Sequence, residues 1–212
     1  MIGQPRLFSR HSRLAVSIAT VMLLFAAGAS AQQPIDPVDF KPFVDGAHWI
    51  VRQPMIYRVG NSQDTITVPV GFVTDFASIP PALQSIIRQN GRYLLPAVVH
   101  DYLYWTQMCT REQADQIFLI AMTENSVGAV HRTALYQAVN VAGSFAWDDN
   151  ARERQAGLLR ILPPNRQELT ATMLWPTYRQ ELAAAGVRDP AHAPVSVSFC
   201  RRGDMSVEDA LR

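Results

Sequence analysis

Lysine is almost missing from this chain: Lys41 is the only one, and every other member of its 19 lysines and arginines is arginine. We read that bias as base composition rather than recognition chemistry. Against 18 acidic residues the formal charge is only +1, so the basic excess typical of a nucleic-acid binder is absent. Glycine is sparse too, with 11 residues and no glycine-rich phosphate loop, and there is no GxSxG elbow, no HExxH and no internal repeat. Cysteine is limited to Cys109 and Cys200, with no CxxC pattern and no histidine beside either, which leaves little support for a thiol nucleophile or a thiolate metal site.

One long apolar run is present. Arg6, Arg10 and Arg13 precede "LAVSIATVMLLFAAG", which ends in Ala29-Ser30-Ala31, the pattern of a cleaved secretory signal over residues 1–31. The run is shorter than the ~20 residues a spanning helix needs, so no stable membrane span is expected after cleavage. No cysteine follows for lipid attachment and no arginine pair precedes, which points to the general export route and a periplasmic or secreted protein. Three arginines and no acids leave with the signal, so 16 basic residues face 18 acidic ones and the mature charge is −2. In an oxidising compartment Cys109 and Cys200 are expected to pair.

The mature chain suits one domain, with a core over 32–165 and a C-terminal helix and tail over 166–212. Its composition divides into a β-rich front and a helical back, an α+β fold with a small antiparallel sheet packed on a helical core. "HWIVRQPMIYRV" and "DTITVPVGFVTD" are rich in β-branched and aromatic residues and flank the turn cluster Gly60-Asn61-Ser62. Pro54 and Pro69 interrupt them, which suits edge strands or bulges. After Pro80-Pro81 the period changes. A short helix is expected over 81–88, then "RYLLPAVVHDYLYW", then "TREQADQIFLIAM" opened by the capping-box pair Thr110 and Gln113. A third helix is expected over 128–146 with Val130, Ala134, Leu135, Ala138, Val141, Ala142 and Phe145 inward. A last one is expected over 166–185, followed by a tail that is tethered but otherwise loose.

The chemistry concentrates on either side of "TQMC". If the flanking helices form an antiparallel hairpin, His100 and Asp115 are equidistant from the turn and face each other, and Tyr104 lies one turn from His100 on the same face. Asp101 is rotated by about 100° and points aside. A histidine held by a carboxylate can take a proton from water, with His100 as the base and Asp115 as its orienter. Asp101 is the candidate for a hard cation such as Ca²⁺, aided by Asp75 and the hydroxyl of Thr74 or Ser78. Equally, a buried histidine needs a partner merely to be buried, and Asp115 supplies one without any chemistry. Asp75 and Ser78 can likewise simply cap backbone groups. A metal phosphohydrolase of the HD type is poorly matched, since His48 lies in a β segment and Asp148 and Asp149 fall near a helix end. His131 and His192 have no partner at ligand spacing and read as surface residues.

The segments "VPVGFVTDFASIP", "GRYLLPAVVHDYLY", "TREQADQIFLIAM" and "RTALYQAV" resemble a bacterial and prophage domain-of-unknown-function family marked by GFxTDxASxP, HDxLY and ADxxF. More distantly, His100-Asp101-x-x-Tyr104 with an aspartate on the next helix resembles the active-site helices of secreted phospholipase A2. That resemblance implies a general base at His100, a calcium ligand at Asp101, an orienting Asp115, and Tyr104 hydrogen-bonded to it, with Tyr136 as a second tyrosine. It departs from that family at the calcium loop, for which Gly71 to Ser78 is the nearest substitute. The expectation is an exported hydrolase, most concretely a calcium-assisted phospholipid esterase. The alternative is a non-catalytic, phage-derived structural or envelope-binding module in which Asp75, His100 and Asp115 form a polar network.

Overall fold

A computed structural model describes residues 1, 35, 38–76, 91–190 and 197–212. Residues 2–31 of the segment expected to be an export signal, the helix expected over 81–88, Ser78 and His192 lie outside the described residues.

Alternating burial identifies the strands. In β3 (Met55–Arg58) Met55 and Tyr57 point inward while Ile56 and Arg58 face out, and β4 (Thr65–Val68) buries Ile66 and Val68. These two pair antiparallel, Met55 opposite Val68 and Tyr57 opposite Ile66. β1 (Phe40–Pro42), β2 (Trp49–Val51) and β5 (Val73–Thr74) make a second antiparallel sheet in the order β1-β2-β5. The two runs read from sequence are thus one long hairpin broken at the prolines. β2 and β3 are the halves of the first run and β4 and β5 those of the second, because Pro54 and Pro69 cannot donate to a continuous ladder.

The helical back opens with a turn at Gly91–Tyr93 and α1 (Leu94–Thr106). Gln107, at φ 51°, ends α1 in the left-handed conformation, with its N–H bonded to the Leu103 carbonyl. α2 (Arg111–Glu124) begins at the expected capping box, where Thr110 Oγ1 accepts from the Gln113 N–H at 3.2 Å and Gln113 Oε1 accepts from the Thr110 N–H at 3.0 Å. The main core forms where Val51, Tyr57, Ile66 and Phe72 meet Val99, Leu103, Trp105 and Ile117. A second cluster joins Ile50 and Val73 to Leu162, Trp175 and Leu182.

α3 (Ala129–Gln155) corrects the sequence reading in length and in face. Val130, Val141 and Phe145, expected inward, are 81%, 77% and 75% exposed. The buried positions are Leu135, which the sequence reading included, and Gly143 and Asn150, with Val139 half-buried between them, spaced four or seven residues apart about 150° around the helix from the exposed ones. Both sets have helical spacing. The one that packs is the one whose glycine permits close approach.

The last long helix is shorter than expected. α4 (Trp175–Ala184) starts only at Trp175, with Pro176 in its first turn, while Pro164–Arg166 forms an isolated 3₁₀ turn. The tail is not loose over 197–212. Phe199, Cys200 and Ala210 are buried, Arg202 Nε donates to Asp64 at 2.6 Å, and Gln116 Nε2 donates to the Met205 carbonyl at 2.9 Å. A turn at Val197–Asp204 and α5 (Val207–Ala210) complete it, and Cys109 and Cys200 form a disulfide. Among the described residues no helix is long and apolar enough to cross a membrane.

Candidate functional site

α1 and α2 do form the antiparallel pair that the turn predicts, and His100 Nε2 meets Asp115 Oδ1 at 2.8 Å. Tyr104 donates its hydroxyl to the same oxygen at 2.6 Å. Asp115 Oδ2 is taken by Arg111, one helical turn earlier, at 3.0 Å. Arg111 escaped the sequence reading although an arginine four residues before an aspartate on one helix is a readable pair. Tyr136 is not a second anchor: its hydroxyl contacts Gln116 Oε1 at 3.4 Å instead.

This carboxylate is therefore fully employed, and its employment defines the imidazole. An ionised carboxylate only accepts, so the bond to it selects the hydrogen on Nε2, and in the neutral form of the ring the lone pair then falls on Nδ1. Nδ1 has no hydrogen-bond partner among the described residues. The ring is clamped between Tyr104, at 4.1 Å between centroids, and Phe118, at 4.8 Å. Burial and the bond to Asp115 hold the Tyr104 phenol well above its ordinary pKa, so it remains a donor.

His100 is only 4% exposed, yet it is not sealed in. It lines a cleft of about 290 Å³ between α1 and α3. Phe118, Leu135, Ala138, Val139, Ala142 and Ala146 make an apolar wall, and Asp75, Asp101, Asn150, Glu153 and Arg160 bring polar groups. Gly143 lets α3 come close at the dyad, since a Cβ there would lie 2.3 Å from the Tyr104 hydroxyl oxygen.

Asp101 and Asp75 reach the same cleft, but they do not stand as spare ligands. Thr74 donates its hydroxyl to Asp101 Oδ2 at 2.5 Å, which ties the end of β5 to α1. The same hydroxyl oxygen accepts the Phe76 N–H at 3.0 Å. Asp75 lies 4.0 Å from the Arg160 guanidinium. Among the described residues no group of three or more His, Cys, Asp or Glu side chains could hold a metal ion. A cation beside Arg160 would also be repelled. The calcium cage that the phospholipase resemblance implies is not assembled among the described residues, Ser78 of its expected loop lies outside them, and no step is derived through it.

Residues 49–139, which include His100, Tyr104 and Asp115, match the family described as "Protein of unknown function (DUF1353)". The chain is also similar to "Uncharacterized protein y4jT" of Sinorhizobium fredii (strain NBRC 101917 / NGR234), with 37% identity over 78 residues. That likeness covers 36% of this chain and 23% of the relative, so the chain spans less than a quarter of that relative's length. No solved structure matches.

Proposed function

We propose that the cleft between α1 and α3 is a hydrolytic site for acyl esters of amphipathic molecules, in an exported protein. The observation that carries the reading is that His100 has one nitrogen locked by Asp115 while its ring lines an open cleft with an apolar wall. Water hydrogen-bonded to Nδ1 gives up a proton to the imidazole as its oxygen attacks the ester carbonyl. The tetrahedral adduct then expels the alkoxide, which takes that proton back, leaving a carboxylic acid and an alcohol. Asp115 keeps the tautomer and faces the imidazolium while it exists, and Tyr104 and Arg111 keep Asp115 in place. The apolar wall holds the acyl chain. The Cys109–Cys200 disulfide supports export to a periplasmic or extracellular location, where lipids of the envelope are the nearest esters of this kind.

The test is turnover of acyl esters, phospholipid vesicles included, by purified mature protein with and without Ca²⁺, beside His100→Ala. Wild type is expected to turn over at least one ester, with His100→Ala slower by about 10²–10⁴. No turnover under any condition, with His100→Ala changing only stability, would reject the enzyme. A second reading draws on the 4% exposure of His100: a non-catalytic, envelope-binding module in which the pair is structural. That failed assay is its expected result.

A further inference from the structure

Arg160 lies beyond the end of α3 and lines the cleft that His100 also lines. Its backbone is fixed on both sides: its N–H donates to Asp189 Oδ1 at 3.0 Å, and its carbonyl accepts the Val73 N–H at 2.8 Å. The side chain runs along the Trp105 ring, with Cζ 5.6 Å from the centroid, and is 14% exposed. The guanidinium is held in place, but its donors are not matched. Among the described residues the enclosed Nε has no hydrogen-bond partner, and Asp75, 4.0 Å from Nη1, is near enough to feel the charge and too far for a hydrogen bond. A mostly enclosed guanidinium in that condition is costly, and its complement is an anion that offers two oxygens to the fork.

The carboxylates around it are better served. Asp101 accepts the Thr74 hydroxyl at 2.5 Å, Glu153 accepts from Arg179 at 2.9 Å, and Asp149 is ion-paired to Arg152. Unmatched donors on the cation, beside acceptors that already have donors, favour an anionic guest over a cationic one. The same carboxylates limit the charge which that guest can carry. A phosphate monoester at about −1.5 to −2 is repelled more strongly than a carboxylate with its single charge.

Placement supplies the rest. Arg179, which bonds Glu153, lies 5.6 Å from the same Trp105 ring, so Arg160 belongs to the Glu153 end of the cleft. At the rise of an α-helix that end is about 15 Å along α3 from Gly143, while Leu135 and Val139 of the apolar wall lie on the other side of that glycine. An anionic head at Arg160 therefore leaves an attached chain to pass the dyad and rest on the wall. We propose that Arg160 anchors a carboxylate, and that the cleft binds single-chain amphipathic carboxylates of the fatty-acid type. This binding does not depend on the hydrolase reading, under which such a carboxylate is the class of acid released.

Sodium decanoate, titrated calorimetrically into purified mature protein below its micelle concentration, is the probe. Wild type and His100→Ala are expected to bind it alike, and Arg160→Gln about tenfold more weakly. Arg160→Lys keeps the charge and loses the fork, so its affinity should fall between those of wild type and Arg160→Gln. Near-UV circular dichroism separates lost affinity from lost fold, and if Arg160→Gln does not fold, Arg160→Lys and the wild-type comparisons carry the test. In wild type, decyl phosphate should bind more weakly than decanoate, and decyltrimethylammonium more weakly still. Undiminished decanoate affinity in a folded Arg160 variant, tighter binding of either other amphiphile, or no decanoate binding at all would each overturn the proposal. Turnover of decanoyl esters by wild type and His100→Ala decides the hydrolase reading separately.

Discussion

The hydroxyl of Tyr104 occupies the space that a side chain at Gly143 would need, 2.3 Å from the position of an added Cβ. The same hydroxyl bonds Asp115, so the glycine on α3 and the dyad on the helical hairpin are in steric contact. Gly143→Ala is expected to destabilise the protein by about 1–3 kcal/mol through overpacking, despite alanine's better helix propensity. Tyr104→Phe removes the oxygen and should recover much of that loss in the double variant. Urea denaturation of the four proteins measures the coupling, and additive effects would show that the contact carries no strain.

Asp115 accepts from three side chains while almost wholly enclosed. Asp115→Ala leaves the buried His100 and Tyr104 donors without their acceptor, while Arg111 keeps Glu112 at 2.9 Å, and a loss of about 1–3 kcal/mol for each unmatched donor is expected. Chemical denaturation reads it. A loss below 1 kcal/mol would mean that water replaces the carboxylate easily and that the network is not rigid.

The dyad was legible because its two members sit at equal distances from a turn that the Thr110–Gln113 capping box locates. The strands were legible in their β-branched and aromatic residues on either side of Gly60-Asn61-Ser62, and the prolines explain why one hairpin became two sheets. The packing of α3 was not legible. Leu135 is buried as expected, but Val130, Val141 and Phe145 obey helical period equally well and are exposed, and periodicity cannot choose the face when the other buried positions are Gly143 and Asn150. The engagement of Asp101 by Thr74 was also hidden, since it depends on where β5 ends relative to α1.

The exposed stripe gives its own check. Replacing Val141 and Phe145 together by serine should change unfolding free energy by less than about 1 kcal/mol, as for surface positions generally. A larger loss in thermal or urea unfolding would mean that these side chains pack against the protein in solution.

Glu124 sits under the hairpin and accepts the Tyr57 hydroxyl at 2.5 Å. Burial raises its carboxyl above the ordinary value of 4.5 and outweighs the bonds from Tyr57 and the Gly60 N–H, which act to lower it. A raised folded pKa gives a contribution fully present below the unfolded value and lost as pH climbs through the folded one. Wild type should therefore lose stability relative to Glu124→Gln as pH climbs from below the ordinary carboxyl value of 4.5 to above it. Unfolding free energies across that range test it, and a pH-independent difference would contradict the raised pKa.

Cys109 and Cys200 close a loop of 91 positions and pin the tail against α2. Reduction, or paired serine substitution, should cost about 2–5 kcal/mol and lower Tm by roughly 5–15 °C. Calorimetry with and without reductant checks it, and an unchanged Tm would leave the tail held by its polar contacts alone.

His100, Tyr104, Arg111 and Asp115 all belong to one helical hairpin, with only 15 positions between the first and the last. Most of the wall facing them comes from a helix that begins after the hairpin has ended. Gly143 is the point at which the two must agree. Elsewhere along α3 the cleft can be reshaped by substitution while the bonds among His100, Tyr104, Arg111 and Asp115 stay as they are, so the shape of the cleft and the network beneath it are separable by mutation.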